Sequence, residues 1–285
     1  MKINVHSMLL ISLSLSIIVL LIIRIRIITK YTEKFKKNSG IELGGSMTIG
    51  TREIQEDCYF LKESRNGVLM VLADGMGEAY GGRIASRTAV STFSDLFESY
   101  NALDNPQYFF KKAFHSSNNE ILKVLDCGGK GMASLASAIV YNNKLFYSSV
   151  GNVKIYVHRN GDLIPITTGH TLDAIAKREF CRGKITKEEA IYLLETQRVY
   201  NYLGQDEFCD LEIFDTPVTL IKNDIVVLMT DGVYDLLSYN EIEKTLNKSI
   251  SCSQMAYEII EKVNCYKQKN KDNASIILLK VGSKY

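Results

Sequence analysis

The chain has 285 residues, 46% of them hydrophobic, with three prolines, six cysteines and a formal net charge of +2. That composition supplies a sizeable core and argues against a disordered or linker-rich architecture. It provides no basic face for nucleic acid, and without a Cys-x-x-Cys pair or zinc-finger His spacing the cysteines read as reduced thiols of a cytosolic domain.

Residues 8–23, MLLISLSLSIIVLLII, form an uncharged apolar run that Ile25, Ile27 and Ile28 extend past two arginines. As a helix the run covers about 24 Å; with Arg24 and Arg26 snorkelling, residues 8–28 can cross a hydrocarbon core of about 30 Å. A cleaved signal peptide would carry its charge before the run and small residues at its end. Here Arg24, Arg26, Lys30, Lys34, Lys36 and Lys37 follow it, against Glu33 alone. The positive-inside rule then places everything downstream in the cytoplasm. The expected organisation is a membrane anchor at 1–29, a basic juxtamembrane linker at 30–45 and one domain at 46–285. The protein is expected in the cell membrane as a single-pass chain with its domain cytoplasmic.

Within that domain, strand patterns cover 46–50, 57–63, 67–73, 135–142, 144–150, 153–158, 162–167, 211–216, 223–230 and 274–281. Hairpin signals join several of them: Arg65-Asn66-Gly67, Asn142-Asn143 and Asn160-Gly161. The connections within 143–167 are too short for crossover helices, so those strands should pair antiparallel. Helical patterns cover 82–100, 106–126, 171–178, 186–195, 239–247 and 252–267. The predicted fold class is α+β, a layered α-β-β-α sandwich of two mainly antiparallel sheets, preceded by one N-terminal transmembrane helix.

The chemistry sits at strand ends. The apolar run 68–73 meets Asp74 and then Gly75-Met76-Gly77; the run 226–229 meets Thr230-Asp231-Gly232. Asp272 precedes the last strand, and Glu56-Asp57 precedes the strand pattern at 57–63. An Asp-Gly pair alone is a common turn. Acids at the ends of four strands, gathered on one rim, would repel one another unless divalent cations neutralised them. All-oxygen ligation suits Mg²⁺ or Mn²⁺ better than zinc, and two such ions could activate a water. Arg52, four residues before Glu56, is either a surface arginine or a bidentate partner for a phosphate dianion.

In order along residues 46–281, these segments resemble the PPM-type (type-2C) metal-dependent serine/threonine protein phosphatases in their bacterial form. Gly50-Thr51-Arg52 with Gln55-Glu56-Asp57 resembles G-x-R-x-x-N-E-D, and Ala73-Asp74-Gly75-Met76-Gly77 resembles A-D-G-M-G. Gly131-Met132-Ala133-Ser134 stands where the family has M-G-T-T; Ser149-Val150-Gly151-Asn152 resembles V-G-D, with an Arg159-Asn160-Gly161 turn after it. Thr167 to Thr171 resembles L-T-x-D-H-S, Thr230-Asp231-Gly232 resembles S-D-G, and Asp272-Asn273-Ala274-Ser275 resembles D-N-x-[ST]. The resemblance implies a phosphatase acting on phosphoserine and phosphothreonine by in-line attack of a metal-bound hydroxide. Its implied catalytic set is Arg52, Asp57, Asp74, Asp231 and Asp272. Two Mn²⁺ or Mg²⁺ ions would be held by Asp74 as a bridge, the Gly75 carbonyl, Asp231 and Asp272, with Asp57 acting mainly through metal-bound waters. Arg52 would clamp the phosphate. The implied partners are phosphoproteins, including a membrane-associated serine/threonine kinase, with no nucleic acid.

Three departures stand out. Asn152 replaces the V-G-D aspartate, which counts against a third ion. Arg83 replaces a glutamate near a helix start, where a cation opposes the helix dipole. The motifs around His170 and Tyr200-Asn201-Tyr202-Leu203-Gly204 are reduced. Met76 stands where animal members carry a histidine, and His170 reads as structural. The alternative is a degenerate phosphatase fold that binds or senses at the membrane. Residues 171–210 are expected to form a flap beside the site, whose Lys177, Arg178, Arg182, Lys184 and Lys187 read as a solvated face or as a docking surface for acidic phosphoproteins.

Overall fold

The computed structural model describes residues 40–64, 67–126, 129–194, 198–208 and 210–282, together with Ser14, Ile18 and Arg24. Residues 42–281 form one unit; residues 1–41 with 282–285 are assigned to another, in which Ser14, Ile18 and Arg24 are helical and exposed. The anchor expected at 8–28 otherwise lies outside the described residues. Among the described residues no helix is long and apolar enough to cross a membrane.

Among the described residues, eleven strands make two sheets. The first has the order β1 (Ile41–Thr48), β11 (Ala274–Val281), β10 (Ile225–Met229), β6 (Lys154–Arg159), β7 (Asp162–Pro165). The second has β2 (Cys58–Ser64), β3 (Gly67–Gly77), β4 (Gly131–Tyr141), β5 (Lys144–Val150), β8 (Glu212–Ile213), with β9 (Val218–Thr219) also on β5. The registered pairs between β2 and β5, and among β7, β6, β10 and β11, are antiparallel. The predicted turns at Asn142-Asn143 and Asn160-Gly161 all take positive φ, as tight hairpins of this hand require.

Strand alternation builds the layers. In β3, Leu69, Val71 and Ala73 face one core with helices α1 (Gly81–Ser99) and α2 (Pro106–Leu125), while Val68, Met70 and Leu72 are buried outside that cluster. In β10 and β11, Ile225, Val227, Met229, Ile276 and Leu278 face a second core. Helices α3 (Leu172–Cys181) and α4 (Lys187–Leu194) add no residue to that core, which is covered by α5 (Asp231–Tyr234), α6 (Tyr239–Leu246) and α7 (Cys252–Cys265). The opposite faces of the two sheets meet, with β11 against β2 and β3. This is the α-β-β-α sandwich expected from the sequence.

Two boundaries differ from expectation. The stretch read as linker to residue 45 already contains β1, because Glu42 accepts the Cys252 N–H at 3.0 Å and Gly44 packs on the Cys252–Ser253 backbone. The strand predicted to stop at Ala73 runs on to Gly77, because β4 continues alongside and pairs Asp74, Gly75, Met76 and Gly77 with Ser134, Ala133, Met132 and Gly131. In α2 the buried stripe includes the polar Ser117 and Asn118, and the Asn118 side chain accepts the Gly204 and Gln205 N–H groups.

Candidate active site

One end of the sandwich collects the acids. Met229 ends β10 and Ala274 begins β11, so Asp231 and Asp272 leave the first sheet at the same end. Cys58 pairs with Ala73, so Asp57 and Asp74 reach that end from the second sheet. Asp74 follows Val68, Met70 and Leu72 on the inter-sheet face of β3.

Each acid is positioned by the chain. Asp57 is only 5% exposed. Its Oδ2 accepts the Ser275 hydroxyl at 2.7 Å and the Thr230 hydroxyl at 3.1 Å, while its Oδ1 is buried without a partner. Thr230 Oγ1 also accepts the Ser275 N–H at 2.9 Å, so both hydroxyls are fixed. Asp231 opens α5, and its Oδ2 accepts the Asn152 amide at 2.7 Å. Asp272 is half-exposed and pairs with Arg52 at 2.7 Å. The buried Asn273 side chain accepts the Glu56 N–H and donates to the Ile49 and Ile54 carbonyls, which shapes the loop bearing Arg52 and Asp57.

The glycine after Asp74 answers a packing demand. A Cβ on Gly75 would lie 2.1 Å from the Gly82 carbonyl oxygen and 2.8 Å from that of Glu56. These glycines allow α1, which begins at Gly81, to sit directly on β3. Glu56 reaches this helix start, where the Arg83 backbone N–H bonds its carboxylate. A carboxylate at a helix N-terminus is favourable, so another segment supplies the acid that position 83 lacks.

The electrostatics are those of an acid cluster short of positive charge. Burial pushes Asp57 up to about 7, with the Asp231 and Asp272 charges adding to it against the Ser275 and Thr230 hydrogen bonds. Burial, then Asp235 and Asp272, pushes Asp231 up to about 7. Asp74 is raised well above the ordinary carboxylate range by burial and by Asp231, Asp57, Asp272 and Glu56. Among the described residues no three His, Cys, Asp or Glu side chains close on one point as a single-ion shell; the carboxylates turn instead to Arg52, Asn152 and the two hydroxyls. The donor set still fits hard divalent cations. It is all oxygen, and Asp57 Oδ1, Glu56 Oε1 and Asn152 Oδ1 are buried without hydrogen-bond partners.

The structure thus brings Arg52, Asp57, Asp74, Gly75, Asp231 and Asp272 to one rim. Sequence reasoning assigned no role to Thr230, Ser275 or Asn273, although all three lie inside the quoted motifs. It also missed Lys154, whose ammonium sits 4.1 Å from the Tyr234 ring centre and lines a cavity of about 190 Å³ with Asn152, Asp173, Lys177, Asp231 and Asp235. His170 is structural: it is buried, burial lowers its proton affinity, and its Nδ1 accepts the Gly151 N–H at 3.2 Å. In the flap, Arg178, Arg182 and Lys184 converge on Glu179 at 3.1–3.2 Å and Lys177 pairs with Asp173, which favours the solvated-face reading.

The profile of the family described as Protein phosphatase 2C matches residues 45–263. A serine/threonine phosphatase, stp, of Listeria welshimeri is 27% identical over 222 residues, covering 75% of this chain and 84% of that protein. The S. agalactiae serine/threonine phosphatase superimposes with a TM-score of 0.72 at 22% identity, over 85% of this chain and 99% of that one. The catalytic domain of the serine/threonine protein phosphatase PstP, solved in complex with two manganese ions, superimposes with a TM-score of 0.69 at 22% identity, over 85% and 99%.

Proposed function

The chain belongs to the protein phosphatase 2C family and is by that membership a serine/threonine phosphatase; we propose that it hydrolyses phosphoserine and phosphothreonine in proteins by metal-assisted in-line attack of water. The observation that carries this reading is the convergence of Asp57, Asp74, Asp231 and Asp272, whose mutual repulsion calls for divalent cations.

Asp74, the Gly75 carbonyl, Asp231 and Asp272 would hold two Mn²⁺ or Mg²⁺ ions, with Asp57 at their outer side. Bound there, the ions supply a water of lowered pKa and the charge that a phosphoryl transition state demands. The chain's own residues do the positioning. The Ser275 and Thr230 hydroxyls hold one oxygen of Asp57 and leave the other free to accept. The Asn152 amide holds one oxygen of Asp231. Arg52, half-exposed and already bonded to a carboxylate, presents a planar donor fork to the phosphate dianion. His170 is committed to Gly151 and donates no proton to the leaving group. Asn152 offers an amide where charge would be needed, so we assign two ions rather than three.

The apolar run 8–28 and the basic stretch after it support a membrane anchor, with the phosphatase domain in the cytoplasm and substrates near the membrane, such as a serine/threonine kinase. The deciding assay is release of phosphate from a phosphothreonine peptide by the full chain in EDTA or Mn²⁺, alongside Asp231→Asn. Mn²⁺-dependent release abolished by the substitution is expected. A folded chain with no turnover under any divalent cation would point to a binding module instead.

A further inference from the structure

The strands that carry the acids at one end carry a different feature at the other. Six residues along β10 from Asp231, about 20 Å away at strand spacing, a cavity of about 470 Å³ opens. His158, Ile225 and Lys280 stand opposite one another on β6, β10 and β11, so their side chains share one face of the sheet. The Asn160-Gly161 turn, Lys222 and the residues just after α6 complete the walls.

The lining carries three lysines against one carboxylate. Its carboxylate, Asp224, is already committed: Arg159 bonds both its oxygens, at 3.0 and 2.5 Å, and the Ile221 N–H adds a third bond. Lys248 is paired with Glu258 at 2.6 Å. Lys222 and Lys280 have no ion-pair partner among the described residues. His158 is 5% exposed, and its Nε2 is buried with no hydrogen-bond partner; the Gly161 carbonyl and Asn247 side chain lie beside the ring, and the nearby Glu243 carboxylate accepts the Leu163 N–H at 2.8 Å. A buried polar atom left in this way is destabilising until a partner reaches it.

We propose that this cavity is a second, non-catalytic site for a small phosphate-bearing anion, held by the Lys222 and Lys280 ammonium groups and the His158 Nε2–H. The three residues come from separate segments of the cavity wall: β6, the loop before β10, and β11. A phosphate dianion matches the two ammonium groups in charge and has an oxygen for each of the three donors, whereas a carboxylate brings a single charge. The anion is either inorganic phosphate or a phosphomonoester.

Calorimetric titration of the full chain in EDTA isolates the site, because without divalent cations the acidic rim repels anions. Inorganic phosphate is the first probe and phosphoserine the second; the tighter of the two identifies the source. Saturable binding that weakens by about tenfold or more in Lys222→Met and in Lys280→Met is expected. Lys222 is exposed, so that variant keeps its fold, and Mn²⁺-dependent hydrolysis should be unchanged in both. Phosphate binding that does not saturate by about 20 mM, or that is equal in the parent and both variants, overturns the proposal and leaves any uptake to the basic stretch 24–37.

Discussion

Ala73-Asp74-Gly75 and Thr230-Asp231-Gly232 read alike in sequence and fold differently. At Asp74 the strand continues, because β4 runs beside it as far as Gly131. At Asp231 the strand has ended, because β6 begins at Lys154 opposite Met229 and offers no partner beyond it, while on the β11 side Thr230 closes the edge by bonding the Ser275 carbonyl through its N–H and the Ser275 N–H through its hydroxyl. Freed of a ladder, the chain turns into α5 with Thr230 at its N-cap. The neighbours therefore decide whether an Asp-Gly pair is a strand or a helix start, and both outcomes deliver a carboxylate to the same rim.

The largest test of that equivalence is activity. Asp74→Asn and Asp231→Asn should each lower Mn²⁺-dependent hydrolysis by about a thousandfold while the chain stays folded. A large loss in only one would mean that the two positions do not share the site. The next effect is pH-dependent stability in EDTA. Asp57 and Asp231, pushed up to about 7, keep protons in the folded state that unfolded carboxyls shed near pH 4. Their protonation favours the folded chain at low pH, and this advantage is lost as pH rises through about 7. Tm in EDTA should therefore be several degrees lower at pH 8 than at pH 5, and Mn²⁺ should abolish the difference. A flat profile in EDTA would show that the carboxyls ionise freely.

The two glycines should fail for parallel reasons. A Cβ on Gly75 meets the Gly82 carbonyl oxygen at 2.1 Å, and one on Gly232 meets that of Asn273 at 2.0 Å. Alanine at either should cost about 3 kcal/mol, seen as a drop of roughly 6–12 °C in Tm. Arg52→Lys tests the phosphate fork: KM for a phosphopeptide should rise about tenfold. Tm should hardly move, since the pair with Asp272 is exposed. The smallest effect lies just past the longer strand. Ala79 sits at φ 52°, and Ala79→Gly should relieve about 1 kcal/mol of left-handed strain, raising Tm by a few degrees.

The sandwich was legible because its signals are local: the two-residue alternation of β3 and β10, the Asn-Asn and Asn-Gly turns, and the apolar stripe of α7. The acids were legible because each sits in a short motif. What the residues did not disclose depends on neighbours remote in sequence. That β3 runs to Gly77 is a property of β4. That Gly75 is needed for packing is a property of Gly82 and Glu56. That His158 and Lys280 flank Ile225 on one face of the sheet cannot be read from any of the three stretches alone.

Asn273 and Ser275 carry one more consequence. Asp57 and the loop before it emerge from the ribosome early, yet the groups that shape them are on the segment entering β11, more than two hundred residues later. β11 is also an interior strand, lying between β1 and β10. Until it inserts, Arg52 and Asp57 have no fixed place, and a nascent or prematurely terminated chain holds the acids without an arrangement of them. A chain cut short of β11 therefore lacks the Asn273 and Ser275 groups that place Asp57 and its loop, and is expected to release no phosphate from a phosphopeptide.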